Sequence, residues 1–227
     1  MQVNGEPHEI LRGTAMETIA ESVLDIDAAV AFAQSRGYSE IVLVGESSGA
    51  NKIVVYNLER PENPCLGYAL VGGGDDTGLF YLGFGEEKFR SVLAEAQERV
   101  ETGRDEELLS ADLHEQKFAY RALADILDPD GLYNLFPFYE YFSGNRLGTK
   151  ELFREFQLIR KPTLILYGSE DKFCYKPAEE VVSTLLTVHP SQQLLMGVTA
   201  LGADHSFSGT EELEVSEILK WFEKIAA

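Results

Sequence analysis

The passage from Glu40 to Gly49 constrains this chain more than any other. The apolar run Ile41-Val-Leu-Val44 stops on Gly45 and turns at once into Glu-Ser-Ser-Gly. A continuous β-branched run ending on glycine reads as a strand covered on both faces, the kind found in parallel sheets. Residues 46–58 then carry Ile53, Val54 and Leu58, so a tight turn feeds a helix. Gly45-Glu-Ser-Ser-Gly49 matches G-x-S-x-G, a pattern that holds a serine on a strained strand-to-helix turn with its hydroxyl at the C-terminal edge of the sheet. Both glycines are expected because neighbouring backbone leaves no room for side chains there. Five residues match often by chance, and the strand-turn-helix context is what gives Ser47 its weight.

The same grammar recurs along the chain. Before the first strand, Ile19, Val23, Ile26, Val30 and Ala33 place an apolar stripe on a helix over 17–36, with Gly37 as its stop. After Pro61 and Pro64, residues 65–71 read as a second buried strand ending in Gly72-Gly-Gly74. Thr163-Leu-Ile-Leu-Tyr167 is a third strand, followed by a helix in which Pro177 takes the first position and which runs to Val188. A fourth strand over 193–201 precedes a last helix capped by Thr210, with Leu213, Ile218, Trp221, Phe222 and Ile225 as its packing face. Strands alternating with helices predict an α/β fold with a mostly parallel sheet flanked by helices, in a single domain over 1–227. Residues 84–160 have no strand of buried type. They predict helices over 86–102, 113–127 and 149–158 and an aromatic loop over 133–142, a helical cap inserted over the strand ends.

Charge and cysteine content narrow the function. With 38 acidic against 19 basic residues the net charge is -19, which repels nucleic acid and anionic membrane surfaces. No apolar run approaches the ~20 residues of a membrane span. The start, Met1-Gln-Val-Asn-Gly-Glu-Pro-His8, has no secretory character, so a cytoplasmic location is expected. Cys65 and Cys174 are too few for a disulfide framework or a four-thiolate zinc site, and Cys174 reads as a packing residue. The triple glycine lacks the G-x-G-x-x-G register and a Walker lysine, so a nucleotide loop is not implied. The acidic runs at 86–87, 105–107 and 211–212 read as solvated helix faces.

A serine nucleophile needs a general base, and the base needs an orienting carboxylate. Of four histidines, His8, His114 and His189 have ordinary readings as solvated or helix-end residues. His205 follows the last strand directly, in Gly-Ala-Asp-His-Ser-Phe, and Asp171 follows the third strand, in Tyr-Gly-Ser-Glu-Asp. In a parallel sheet such loops gather at the edge that carries the serine turn. Glu170 is a competitor that would point away from the turn. Asp75 or Asp76, after the second strand, are competitors as well. The aromatic cluster of Tyr133, Phe136, Phe138, Tyr139, Tyr141 and Phe142 fits core packing of the cap or a substrate wall.

Serine, aspartate and histidine at three strand ends, in that order, make the chain from about Ile10 onward resemble the α/β-hydrolase superfamily. The blocks that carry the likeness are Gly45-Glu-Ser-Ser-Gly49, Pro162-Thr-Leu-Ile-Leu-Tyr-Gly-Ser-Glu-Asp171 and Gly202-Ala-Asp-His-Ser-Phe207. The last of these, with Ser-Gly-Thr-Glu-Glu-Leu213 after it, is also similar to the branch that includes siderophore-esterase-like proteins. The resemblance implies Ser47 as nucleophile, His205 as base and then acid, Asp171 as the residue that orients the imidazole, and the Ser48 backbone N–H as an oxyanion donor. It implies a carboxylic-ester hydrolase acting on a small-molecule ester or acyl substrate, with no cofactor and no metal. The family's serine normally follows several strands and a second oxyanion loop, and only 46 residues precede Ser47 here. The expectation is therefore an N-terminally truncated hydrolase fold whose first strand is an open edge covered by a second copy of the chain. The rival expectation is a non-catalytic binding module of the same fold that has lost its oxyanion loop.

Overall fold

In a computed structural model of the chain, residues 13–110 and 117–226 are described. Four parallel strands form one sheet in the order β1 (Val42–Glu46), β2 (Gly67–Val71), β3 (Thr163–Gly168) and β4 (Leu195–Ala200). Around them run α1 (Ser22–Ser35), α2 (Ser48–Glu59), α3 (Asp76–Phe84), α4 (Glu86–Glu101), α5 (Tyr120–Leu127), α6 (Phe138–Ser143), α7 (Ala178–Val188) and α8 (Glu211–Ile225).

Burial explains why the strands read as unbroken apolar runs. Every residue of β2 and β3 is buried, because each face of the sheet carries its own core. On one side Tyr68, Leu70, Ile165 and Tyr167 meet α2, α7 and the helical block; on the other Ala69, Val71, Leu164 and Leu166 meet Trp221 of α8 and Phe207. The two outer strands are only partly covered. β1 pairs with β2 alone among the described residues, and its Val44 is 48% exposed. Among the described residues the edge of β1 is open, and the expectation that this strand is covered on both faces does not hold for Val44.

The helical block between β2 and β3 departs from expectation in several places, each with a local cause. It begins at Asp76, earlier than 84, because Asp75 caps α3 by accepting the Gly78 N–H at 2.8 Å. No α-helix covers 149–158: Phe153 has φ 60°, and only Phe156–Leu158 forms a 3₁₀ turn. Asp130 accepts the Thr149 and Lys150 N–H groups at 2.5 and 2.6 Å, and the buried Glu140 accepts that of Leu147 at 2.8 Å, so these backbone donors are engaged by side chains. The aromatic segment is no plain loop, since it includes α6, whose Tyr139 N–H donates to the other Asp75 oxygen at 2.6 Å. α5 starts only at Tyr120, after an isolated bridge between Leu108 and Ala119; the expected helix residues 113–116 lie outside the described residues. Pro177 precedes α7 instead of opening it, and Thr210 stands before α8 without a capping bond from its side chain. No described helix is long and apolar enough to cross a membrane.

Candidate active site

Three loops meet at the C-terminal edge of the sheet. The first is the turn from β1 into α2. Ser47 takes φ 55° and ψ -125°, a conformation that a residue with a side chain adopts only under constraint. Its N–H donates to Val71 O at 2.8 Å, tying the turn to the end of β2. A Cβ on Gly45 would lie 2.3 Å from Gly49 O, so position 45 admits only glycine. Gly49 is different: a Cβ there would meet nothing within 4 Å, and the expected crowding does not exist at that glycine. Ser48 opens α2, so no carbonyl within the helix can accept its N–H, and the positive end of the helix dipole lies at the serine.

The second and third loops carry Asp171 and His205, and Gly168 lets them touch. A Cβ on Gly168 would come within 2.4 Å of Ala203 O and 2.5 Å of Asp204 O. Backbone bonds from Ser169 N to Ala200 O and from Glu170 N to Ala203 O, both 2.9 Å, lock the two loops together. Asp204 accepts the N–H groups of Ser206 and Ser208 at 3.1 and 2.9 Å, a turn that fixes the backbone around His205.

The result is a continuous chain of hydrogen bonds. His205 Nε2 lies 3.0 Å from Ser47 Oγ, and His205 Nδ1 lies 2.8 Å from Asp171 Oδ2. The Asp171 side chain is 2% exposed and also accepts the Phe173 N–H at 2.9 Å, whereas the imidazole is 18% exposed. The bond to Asp171 raises the His205 pKa above the ordinary histidine value; burial opposes it, and the charges of Asp171, Glu46 and Asp76 add to the rise. Burial, with the carboxylate of Asp171 beside it, pushes the Cys174 thiol up to about 12, which keeps it protonated and unreactive.

The competing residues do other work. Glu170 is exposed, as expected of a side chain that leaves the turn. Asp75 is spent on capping, with burial as the first cause of a pKa raised to about 7. Asp76 interacts with Tyr133 and contributes charge near His205, but Asp171 holds the hydrogen bond to the imidazole. His189 is buried beneath Phe156 and accepts the Ser191 N–H at 3.1 Å, a structural position. His8 and His114 lie outside the described residues. No group of three or more metal-binding side chains gathers among the described residues.

The sequence reading misses the scaffold that holds this arrangement. Gly72, with φ 59°, packs against His205 and Asp171 together: a Cβ there would meet His205 Cε1 at 3.3 Å and Asp171 Oδ2 at 3.6 Å. Two buried side chains hold the Gly72–Gly74 loop in that place. Asn51 donates to Gly74 O at 3.0 Å and accepts from Gly74 N at 3.2 Å, and the Tyr167 hydroxyl donates to Gly73 O at 2.6 Å. The signal available in the sequence is a run of glycines at the end of a strand next to the serine strand. Phe173, whose ring lies 4.7 Å from the imidazole, carries no sequence signal at all.

Residues 14–219 match the family described as "Protein of unknown function (DUF1749)". Among solved structures, a monoacylglycerol lipase of Paleococcus ferrophilus is 16% identical with a TM-score of 0.55, covering 93% of this chain and 77% of that one. Est816, described as an N-acyl homoserine lactone degrading enzyme, is 18% identical with a TM-score of 0.52, covering 92% and 76%. E-2-(Acetamidomethylene)succinate hydrolase is 15% identical with a TM-score of 0.51, covering 94% and 76%. At these identities the likeness shows a shared α/β-hydrolase fold. No curated protein matches.

Proposed function

The chain belongs to the DUF1749 family and has the α/β-hydrolase fold, and from that premise we propose that it is a serine hydrolase, a carboxylic-ester hydrolase working through an acyl-enzyme. The observation that carries the reading is the chain of hydrogen bonds from Ser47 through His205 to the buried Asp171, with the serine on a strained turn at a helix N-terminus. A relaxed surface serine has no need of φ 55°, and strain of this kind persists where the surrounding structure enforces it.

The chemistry follows from the geometry. Ser47 Oγ forms a bond to the ester carbonyl carbon as its proton passes to His205 Nε2. The carbonyl oxygen becomes an oxyanion, and the Ser48 N–H at the positive end of α2 stabilises it. The bond from carbon to the alkoxy oxygen then breaks, and that oxygen takes the proton from His205, so an alcohol leaves and the acyl group stays on Ser47. Water, activated by the same imidazole, releases the carboxylic acid and restores the serine. Asp171 holds the imidazole in the tautomer with its proton on Nδ1 and stabilises the imidazolium formed midway. No cofactor enters any of these steps.

The test is labelling with a fluorophosphonate probe read by intact mass, on wild type beside Ser47→Ala and His205→Ala, followed by a panel of small esters. One adduct on the wild type and none on either variant is the expected result. Folded wild-type protein that takes no probe overturns the reading and favours a binding module with the same fold.

A further inference from the structure

Phe173 is 56% exposed, in a loop whose Lys172 and Lys176 are exposed as well. Its backbone N–H is bonded to Asp171 Oδ1 at 2.9 Å, and its ring meets the His205 imidazole edge-on, 4.7 Å between centres with planes at 63°. The residue is thus fixed to the acid by its backbone and to the base by its side chain, while much of its ring faces solvent. Beneath the ring, the space bounded by Gly72, Gly73, Phe138, Tyr167 and Cys174 is about 10 Å³, room for about one water. That space is too small for a substrate group, whereas the exposed ring of Phe173 offers an apolar surface in contact with His205.

Acyl transfer assigns the part of the substrate that comes there. In the reaction proposed above, on which this inference rests, the acyl half becomes attached to Ser47 and the alkoxy oxygen must reach His205 Nε2 to collect its proton. The alcohol half therefore departs alongside the imidazole, past the exposed ring that packs against it. We propose that Phe173 is the shelf that receives this alcohol half and that the protein selects esters of apolar, uncharged alcohols. Glu46 and Asp76, whose charges are felt at His205, disfavour an anionic group in the same place.

Straight-chain alcohols from ethanol to hexanol have closely similar acidities, so a series of their acetate esters varies apolar contact while leaving-group chemistry stays nearly constant. Full burial of one methylene is worth about fourfold in affinity, and contact with one side of a ring is worth about twofold. Over the four methylenes from ethyl to hexyl acetate, kcat/KM of the wild type is expected to rise about 16-fold. In Phe173→Ala the rise is expected to fall below about fourfold, and Phe173→Leu is expected to restore most of it. The acyl series from ethyl acetate to ethyl hexanoate is expected to show the same chain-length dependence in wild type and Phe173→Ala.

An alcohol-series slope unchanged in Phe173→Ala overturns the inference, as does an equal loss in both series. Fluorophosphonate labelling of Ser47 without turnover of any ester overturns it while leaving the activated serine in place. Absence of both labelling and turnover removes the hydrolase reading and this inference together.

Discussion

Replacing Gly168 by alanine tests whether contact between the two loops is what brings Asp171 and His205 together. The added Cβ would lie 2.4 Å from Ala203 O and 2.5 Å from Asp204 O, both backbone atoms that cannot rotate away. An ordinary carbon-to-oxygen approach is ~3.3 Å, so the loops must part by about 1 Å. His205 lies next to Asp204, and its bond to Asp171 is 2.8 Å. Most of the displacement falls on that bond, and a shift of about 1 Å in catalytic geometry costs on the order of 100-fold in rate. Overpacking of this kind also destabilises by about 1–3 kcal/mol, which lowers the melting temperature by several degrees in a domain of this size. Gly49→Ala is the matched control, since a Cβ there meets nothing within 4 Å. It is expected to retain the wild-type labelling rate and to be equally or more stable, by up to about 1 kcal/mol from helix propensity. The assay is the rate of fluorophosphonate labelling at a temperature where both variants are folded, beside thermal melting. Wild-type labelling by Gly168→Ala, or equal damage from Gly49→Ala, refutes the reasoning.

Three further outcomes are expected. Because the Asp171 bond raises the His205 pKa and only neutral imidazole acts as a base, labelling is expected to rise with pH through a midpoint above the ordinary histidine value. Asp171→Asn is expected to lower the imidazole midpoint read by NMR, and an unmoved midpoint refutes the assigned cause. The associated stability runs the other way: it is full below the unfolded histidine pKa and is lost as pH rises through the folded one. Asp75, whose folded pKa is raised to about 7 mainly by burial, binds its proton more tightly folded than unfolded. Its contribution to stability therefore falls as pH rises from about 4 to about 7, and Asp75→Asn is expected to flatten the melting-temperature profile over that window; an unchanged profile refutes the assignment. At the open edge of β1, where Val44 is 48% exposed, we propose pairing with a second copy of the chain. Light scattering is expected to give a dimer that Val44→Lys dissociates, since charge on an edge strand opposes pairing; a wild-type monomer at micromolar concentration refutes it.

The sheet is legible in the sequence wherever both faces are buried. In β2 and β3 every position is apolar or small for the same reason, that two cores press on it, and a short unbroken run ending on glycine is enough to find them. The helical block is less legible because its backbone partners are remote side chains. Nothing near residues 147–150 announces that Glu140 will take the Leu147 N–H and Asp130 those of Thr149 and Lys150, and helical spacing over 149–158 misleads. Asp75 makes the same point from the other direction: it serves α3 from three residues away and α6 from sixty-four, and only the first of these relations has a local pattern.

The residues of the candidate site are legible for a different reason from the sheet. Ser47, Asp171 and His205 each follow a strand, and parallel strands deliver their ends to one edge whatever helices lie between. Topology therefore gathers them, although 158 positions separate the serine from the histidine. What topology cannot supply is the last ångström. That comes from contacts in which a side chain is missing, at Gly45, Gly72 and Gly168, and from Asn51 and Tyr167, which hold the loop between them. A glycine needed for close approach looks the same in sequence as Gly49, which is not needed for it. The distinction lies in the backbone that arrives from elsewhere in the chain, and so the parts that set the geometry of the hydrogen-bonded chain are the ones a sequence reading leaves out.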